Sequence, residues 1–235
     1  MEAVRFKKIA HIESDFHTKF GIPRQSGLVE ELTARVVFEP EYRMEEAFRG
    51  IEEFSHLWLI WHFSENEGKS WSPTVRPPRL GGNRRVGVFA SRSPFRPNGI
   101  GLSCVRLLGV EKEEQRGMVL CVAGADLMNG TAILDIKPYI PFTDCRRDAG
   151  GGFSEENEEY QLQVVMGDKA LADFPEEKRR ALEGILAEDP RPAYHRDSGR
   201  RYGMELAGYE IQFRVKGHIL EVERAEKIEY SKEGI

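Results

Sequence analysis

Six arginines, Arg76, Arg79, Arg84, Arg85, Arg92 and Arg96, fall between residues 73 and 103, inside a window from residue 68 to residue 110 that holds no carboxylate. The whole chain carries a formal net charge of -5, so this concentration of positive charge runs against the balance of the protein. A guanidinium fork meets carboxylate or phosphate oxygens two at a time and also stacks on a nucleobase. The window contains Pro77, Pro78, Gly81, Gly82, Pro94, Pro97 and Gly99. These break any helix and leave only residues 86–90 as a strand. The arginines therefore sit on stiffened turns flanking a strand, where fixed cations and backbone N–H groups can share one concavity. The competing interpretation is a solvated basic face. A merely soluble surface does not need such stiffening.

Other polar residues stand where a pocket needs them. The punctuated loop at residues 20–28, FGIPRQSGL, offers Arg24 and Gln25 as hydrogen-bond donors. Ser64, Glu65 and Asn66 follow the apolar run SHLWLIWHF at residues 55–63, which reads as a strand buried on both faces. The turn DLMNGT at residues 126–131 places Asn129 and Gly130 where φ > 0 is required. A second basic spot with aromatics interleaved lies at residues 189–203, with Arg191, Tyr194, Arg196, Arg200 and Arg201. Such a composition suits nucleic acid. His56 and His62 are six residues apart on one strand, or about 20 Å, so they cannot share a metal ion. Cys104, Cys121 and Cys145 are odd in number and lack C-x-x-C spacing, which argues against a disulfide framework or a zinc site. Cys104 and Cys121 read as small core residues. Neither G-x-G-x-x-G after a first strand nor G-x-x-x-x-G-K is present.

The positioning elements follow from the hydrophobic pattern. Strands are expected at 4–12, 34–38, 55–63, 86–90, 102–110, 117–125 and 131–140. Met44, Ala47, Phe48 and Ile51 recur at helical spacing and predict an amphipathic helix over 43–54. Composition changes at 142–153. Beyond it, a strand at 160–166, an acidic helix at 175–187 and a hairpin of 209–215 with 218–223 turning on Lys216-Gly217 are expected. Short strands with many Gly/Pro turns and no βα alternation predict a mainly β protein: a small antiparallel β-barrel domain at 1–145, and a smaller α+β domain at 153–235. The N-terminus lacks an apolar signal core and no stretch has the length of a membrane span, which points to the cytoplasm.

TVRPPRLGGN (74–83), SRSPFRPNGIGLS (91–103), DLMNGT (126–131), LDIKPYIP (134–141) and DPRPAY (189–194), with PRQ (23–25) and SHLW (55–58) in order, resemble the TrmO/TsaA-like family of tRNA methyltransferases. The resemblance spans nearly the whole chain. It implies a β-barrel that binds S-adenosylmethionine, a homodimer, and methylation of N6 of threonylcarbamoyladenosine beside the anticodon of tRNA. The cofactor site it implies comprises Pro23, Arg24, Gln25, Ser64, Glu65, Arg92, Leu102, Asp126, Leu127, Met128 and Asn129. The Ser64-Glu65 pair departs from the His-led pair of relatives. Arg76, Arg79, Arg84, Arg85 and Arg96 divide between the substrate carboxylate and tRNA phosphates, joined by the second basic spot. The acceptor nitrogen is urea-like and must lose a proton during attack. Asp126 and Asp135 are both candidates for that base, against roles as a turn-closing Asx and a strand-end partner of Lys137. Two further classes stay open: a non-catalytic RNA-binding barrel, and an S-adenosylmethionine-binding protein acting on a small molecule.

Overall fold

The computed structural model describes residues 4–77, 84–157, 160–192 and 199–229. Arg79, Tyr194, Arg196 and the Gly81-Gly82 pair lie outside the described residues. In chain order the strands are β1 (Ala10–Glu13), β2 (Thr33–Phe38), β3 (His56–His62), β4 (Thr74–Val75), β5 (Val86–Gly87), β6 (Ile100–Glu113), β7 (Gly117–Ala123), β8 (Ala132–Pro138), β9 (Gln163–Met166), β10 (Arg201–Leu206), β11 (Tyr209–Lys216) and β12 (Ile219–Lys227). The α-helices are α1 (Pro141–Asp144) and α2 (Arg179–Ala187). The protein is mainly β, as its patterning predicts.

Six strands pair antiparallel in the order β1-β2-β7-β6-β3-β8, and β8 returns to β1 to close a barrel. Closure leaves no unpaired sheet edge. Alternation places Ile12, Val36, Leu57, Leu59, Val105, Leu120, Val122 and Ile133 in one buried cluster. The second sheet has the order β10-β11-β12-β9, with β9 parallel to β12. Helix α2 contributes Ala181, Leu182, Ile185 and Leu186 to a second cluster with Ile211, Phe213 and Leu220.

Phe16, Val29 and Leu32 belong to that second cluster although they precede β2 in the chain. The β1–β2 connection therefore leaves the barrel, packs on the second sheet and returns. One of its glycines records how closely it runs: a Cβ on Gly21 would meet Met204 Cε at 2.4 Å, and Gly21 has φ +98. Arg24 and Gln25 ride on this tethered connection.

Several elements differ from the patterning. Residues 43–54 form two short 3-10 turns, Glu45–Phe48 and Ile51–Glu53, in place of one helix. Gly50 between them takes φ +84, which ends the helical path, and Met44 is left exposed. Strand β3 buries Leu57 and Leu59 fully but leaves Trp58 and Ile60 partly accessible, because only one face looks into the barrel. The expected strand at 86–90 pairs only over Val86–Gly87 before a 3-10 turn takes over at Val88–Ala90. Strand β1 begins at Ala10, where pairing with Phe38 of β2 begins. Strand β10 was hidden by the Arg/Gly-rich composition of 199–203. Gly130 alone supplies the left-handed residue of its turn, with Asn129 in ordinary backbone geometry. Cys104 and Cys121 are half-buried rather than core residues.

Helix α2 approaches the β1–β2 connection at Gly184, where a Cβ would lie 2.8 Å from Val29 Cγ1. Val29 is β-branched and cannot turn aside freely. Gly184→Leu should destabilise the protein by about 1–3 kcal/mol despite the better helix propensity of leucine. Denaturant unfolding checks this, and an unchanged midpoint would mean that the helix and the connection do not bear on each other.

Candidate functional site

At one mouth of the barrel a hollow of about 480 Å³ opens among the β1–β2 connection, the end of β3, the β5–β6 loop and the turn after β7. Its size suits a small organic ligand. Pro23, Arg24, Gln25, Ser64, Glu65, Arg92, Leu102, Asp126, Leu127 and Met128 all line it. Asn129 does not: its Oδ1 accepts from the Ser14 N–H at 3.2 Å, and its own N–H donates to the Phe16 carbonyl at 2.8 Å. It fastens the start of the tethered connection instead. Lys19, Trp61, Phe63, Ser91 and Ile100 also line the walls and were not singled out from sequence; Arg96, expected to meet substrate or tRNA, and His62, considered only as a metal ligand, line it as well.

Asp126 is the most constrained of the polar groups. The Ser103 hydroxyl donates to Asp126 Oδ1 at 2.6 Å and itself accepts from the Trp61 indole N–H at 2.9 Å. Ser103 is fully buried, so both of its hydrogen-bonding capacities must be met, and here they are. Cross-strand register explains the reach: Trp61 pairs with Gly101 and leans diagonally to Ser103, two residues on. A Cβ on Gly101 would stand 2.2 Å from the indole ring, so the glycine is the space in which Trp61 lies. Burial pushes the Asp126 carboxyl above the usual carboxylate range, against the opposing pull of Ser103, of the Ser26 backbone N–H and of the Arg92 charge.

Arg92 donates to the Gln25 side-chain carbonyl, which joins the arginine window to the tethered connection. Ser26 Oγ accepts from the Cys104 N–H at 3.0 Å, pinning the same connection to β6. Arg96 donates to the carbonyl of Ser91 at 3.0 Å, bracing the loop that carries Arg92. Glu65 meets Lys19 at 3.5 Å across the rim, an exposed pair of small energetic weight. Asp135 lies outside the hollow. It pairs with Lys137 at 2.8 Å and caps the Ile136 N–H, which is the strand-end role.

Arg76, Arg84 and Arg85 are exposed on the β4–β5 side of the hollow. In the second basic spot the arginines have other engagements. Arg191 forms a two-pronged pair with Asp189, at 2.8 and 2.9 Å, with both side chains largely buried. Burial works to raise the Asp189 carboxyl, but the Arg191 guanidinium overrides it and holds the group below its ordinary range. Arg201 pairs with Glu223, and the Arg200 guanidinium sits 5.5 Å from the Tyr202 ring centre. Arg24 donates to the Asp189 carbonyl at 3.2 Å, so this loop begins at the edge of the hollow.

Two measurements check these arrangements. Ser103→Ala removes a bond that favours ionised Asp126, so the Asp126 titration followed by carboxyl NMR should move to still higher pH; an unmoved titration contradicts the network. Arg191→Ala leaves a largely buried carboxylate unpaired and should cost about 3–5 kcal/mol near neutrality. Because the folded-state pKa of Asp189 is depressed, its contribution is present above the unfolded value of about 3.9 and is lost as pH falls through the folded value. The penalty should therefore shrink in acid unfolding experiments, and a penalty independent of pH would assign it to packing.

Comparison with known proteins bears on the family of the chain. Residues 11–145 match the family model described as tRNA-methyltransferase O N-terminal domain, and residues 159–228 match the TrmO C-terminal domain. The tRNA (adenine(37)-N6)-methyltransferase of Escherichia coli is 38% identical over 225 residues, covering 92% of this chain and 94% of that protein. The enzyme of the same name from Eikenella corrodens is 44% identical over 177 residues, covering 75% of this chain and 99% of that one. A crystal structure of TrmO from Pseudomonas aeruginosa superposes with TM-score 0.78 at 32% identity, covering 97% of this chain and 99% of the other. With both family domains matched in order, and with the fold shared from end to end, the chain belongs to the TrmO family of tRNA methyltransferases.

Proposed function

We propose that this protein is an S-adenosylmethionine-dependent tRNA methyltransferase that modifies N6 of the adenosine at position 37. The observation that carries the reading is the hollow itself, where Arg24, Gln25, Arg92 and a half-buried Asp126 converge on a cavity of cofactor size. A purely RNA-gripping barrel has no use for such a cavity, and a small-molecule enzyme has no use for the exposed arginines beside it.

The residues fit the cofactor. Arg24 and Arg92 are suited to its carboxylate, Asp126 and backbone groups to its hydroxyls or amine, and Leu102, Ile100 and Leu127 to its adenine face. S-adenosylmethionine supplies an electrophilic methyl on a sulfonium whose departing thioether is neutral. The protein therefore needs to orient reactants more than to stabilise new charge, and positioning alone is worth on the order of 7–11 kcal/mol. The braces at Arg96, Ser26 and Gln25 supply that rigidity. Two carboxylates line the hollow; Glu65 is exposed and meets Lys19, whereas Asp126 is held in its wall and is able to take the N6 proton as the nitrogen lone pair forms its bond to carbon, its raised proton affinity making it the better acceptor.

The substrate adenosine bears a threonylcarbamoyl group, whose carboxylate gives the exposed arginines a second anion besides phosphate. The chain works in the cytoplasm as a homodimer, with a barrel unit at 1–145 and a second unit at 153–235. All ten lining residues anticipated from sequence serve the cofactor, with Arg76, Arg84, Arg85 and Arg200 facing tRNA.

Incubation with methyl-labelled cofactor and tRNA, with or without the threonylcarbamoyl group, tests this. Label should appear at N6 of the threonylcarbamoylated base. Label on the unmodified base would mean a different substrate, and no label on either would remove the enzyme assignment. Asp126→Asn should lower the rate about 10²–10⁴-fold. Since the folded-state pKa of Asp126 is raised, its favourable contribution is lost as pH rises through that value, so the Asn variant should be no less stable at neutral pH. A wild-type rate would exclude Asp126 as the proton acceptor.

A further inference from the structure

Three large aromatic side chains stand exposed on the segment that forms one wall of the hollow: Trp71 at 51%, Phe89 at 77% and Phe95 at 45%. The backbone gathers them. Thr74 pairs with Gly87 and Val75 with Val86, the Val88 N–H donates to the Pro73 carbonyl at 3.0 Å, and the Ser72 N–H donates to the Phe95 carbonyl at 3.2 Å. Phe95 lies between Pro94 and Arg96, both of which line the hollow, so the cluster is continuous with its rim. The same segment carries exposed Arg76, Arg85 and Arg92 and falls within the carboxylate-free window.

Exposed rings in water need a reason, and their company narrows it. A two-fold contact with a second copy would set each patch against itself, arginine facing arginine. Single-stranded nucleic acid is the occupant that answers both features, because phosphates meet the guanidinium groups while bases stack on the rings. An enzyme that works on a base must also draw it out of its stack, which strips the neighbouring bases of a partner.

We propose that Trp71, Phe89 and Phe95 form a stacking platform at the rim of the hollow for the unpaired bases that flank the target adenosine. This rests on the reading of the protein as a tRNA methyltransferase. The platform returns to the flanking bases the stacking they lose when the target enters the hollow. Stacking is indifferent to counterions, so it separates cleanly from the arginines.

The test uses the full-length chain with threonylcarbamoylated tRNA, following binding by fluorescence anisotropy across a salt series. Trp71→Leu and Phe89→Leu should each weaken tRNA binding about fivefold or more, with the wild-type slope of log affinity against log salt and unchanged S-adenosylmethionine affinity. Trp71→Phe, which keeps a ring, should retain most of the binding. Arg85→Ala should instead reduce the salt slope by about 0.7. Leu variants that bind tRNA like wild type, or a Trp71→Leu variant equal to Trp71→Phe, would overturn the platform while leaving the enzyme reading intact. A wild-type protein that neither binds nor methylates tRNA would overturn both.

Discussion

A carboxylate half-buried at the mouth of a β-barrel must be held by hydrogen bonds or it will turn away, and here the holding chain runs from the Trp61 indole through the Ser103 hydroxyl to Asp126. Each link depends on the one before. Gly101 leaves the space for Trp61, the indole fills the acceptor capacity of Ser103, and the serine is left with one proton to give. Buried hydroxyls of this kind are either satisfied on both sides or destabilising. The result is an acid group fixed in orientation and raised in proton affinity, facing a cavity walled by arginines.

The opposite wall owes its position to the second core. The β1–β2 connection drops Phe16, Val29 and Leu32 into the cluster beneath α2, and Gly21 lets it run against Met204. Arg24 and Gln25 are thereby presented to the hollow by a segment anchored at several points rather than by a free loop. The bond from Arg24 to the Asp189 carbonyl extends the same linkage to the loop that carries the second basic spot. The C-terminal sheet thus supports the site even though it contributes no residue to the lining of the hollow, and an insult to its core reaches the ligand-facing side chains through this connection.

Much of the site was legible because it is written in local chemistry. Arginine with proline and glycine in a carboxylate-free window marks a stiff basic rim, and PRQ and DLM are short turns whose side chains have few places to go. What stayed hidden depends on partners distant in sequence. Arg201 reads as a phosphate ligand until Glu223 is seen beside it; the exception is Arg191, whose partner Asp189 stands only two residues away. Asn129 reads as a site residue until its bond to Ser14 is seen. The Trp61–Ser103 link had one sequence trace, a glycine within a strand alternation, a usual sign that a ring or backbone lies close by. The helix expected at 43–54 failed for a local reason that was visible: Gly50 interrupts the stripe, and periodicity outweighed it in the reading.

The central claim is that this hollow, and no other part of the surface, receives the sulfonium cofactor. Calorimetric titration of S-adenosylmethionine into the wild-type protein and into Arg92→Glu, which reverses the charge proposed to meet the cofactor carboxylate, tests it directly. A saturable heat in the wild type that vanishes in the variant is the predicted result. No heat in the wild type, or two superimposable isotherms, would contradict the account.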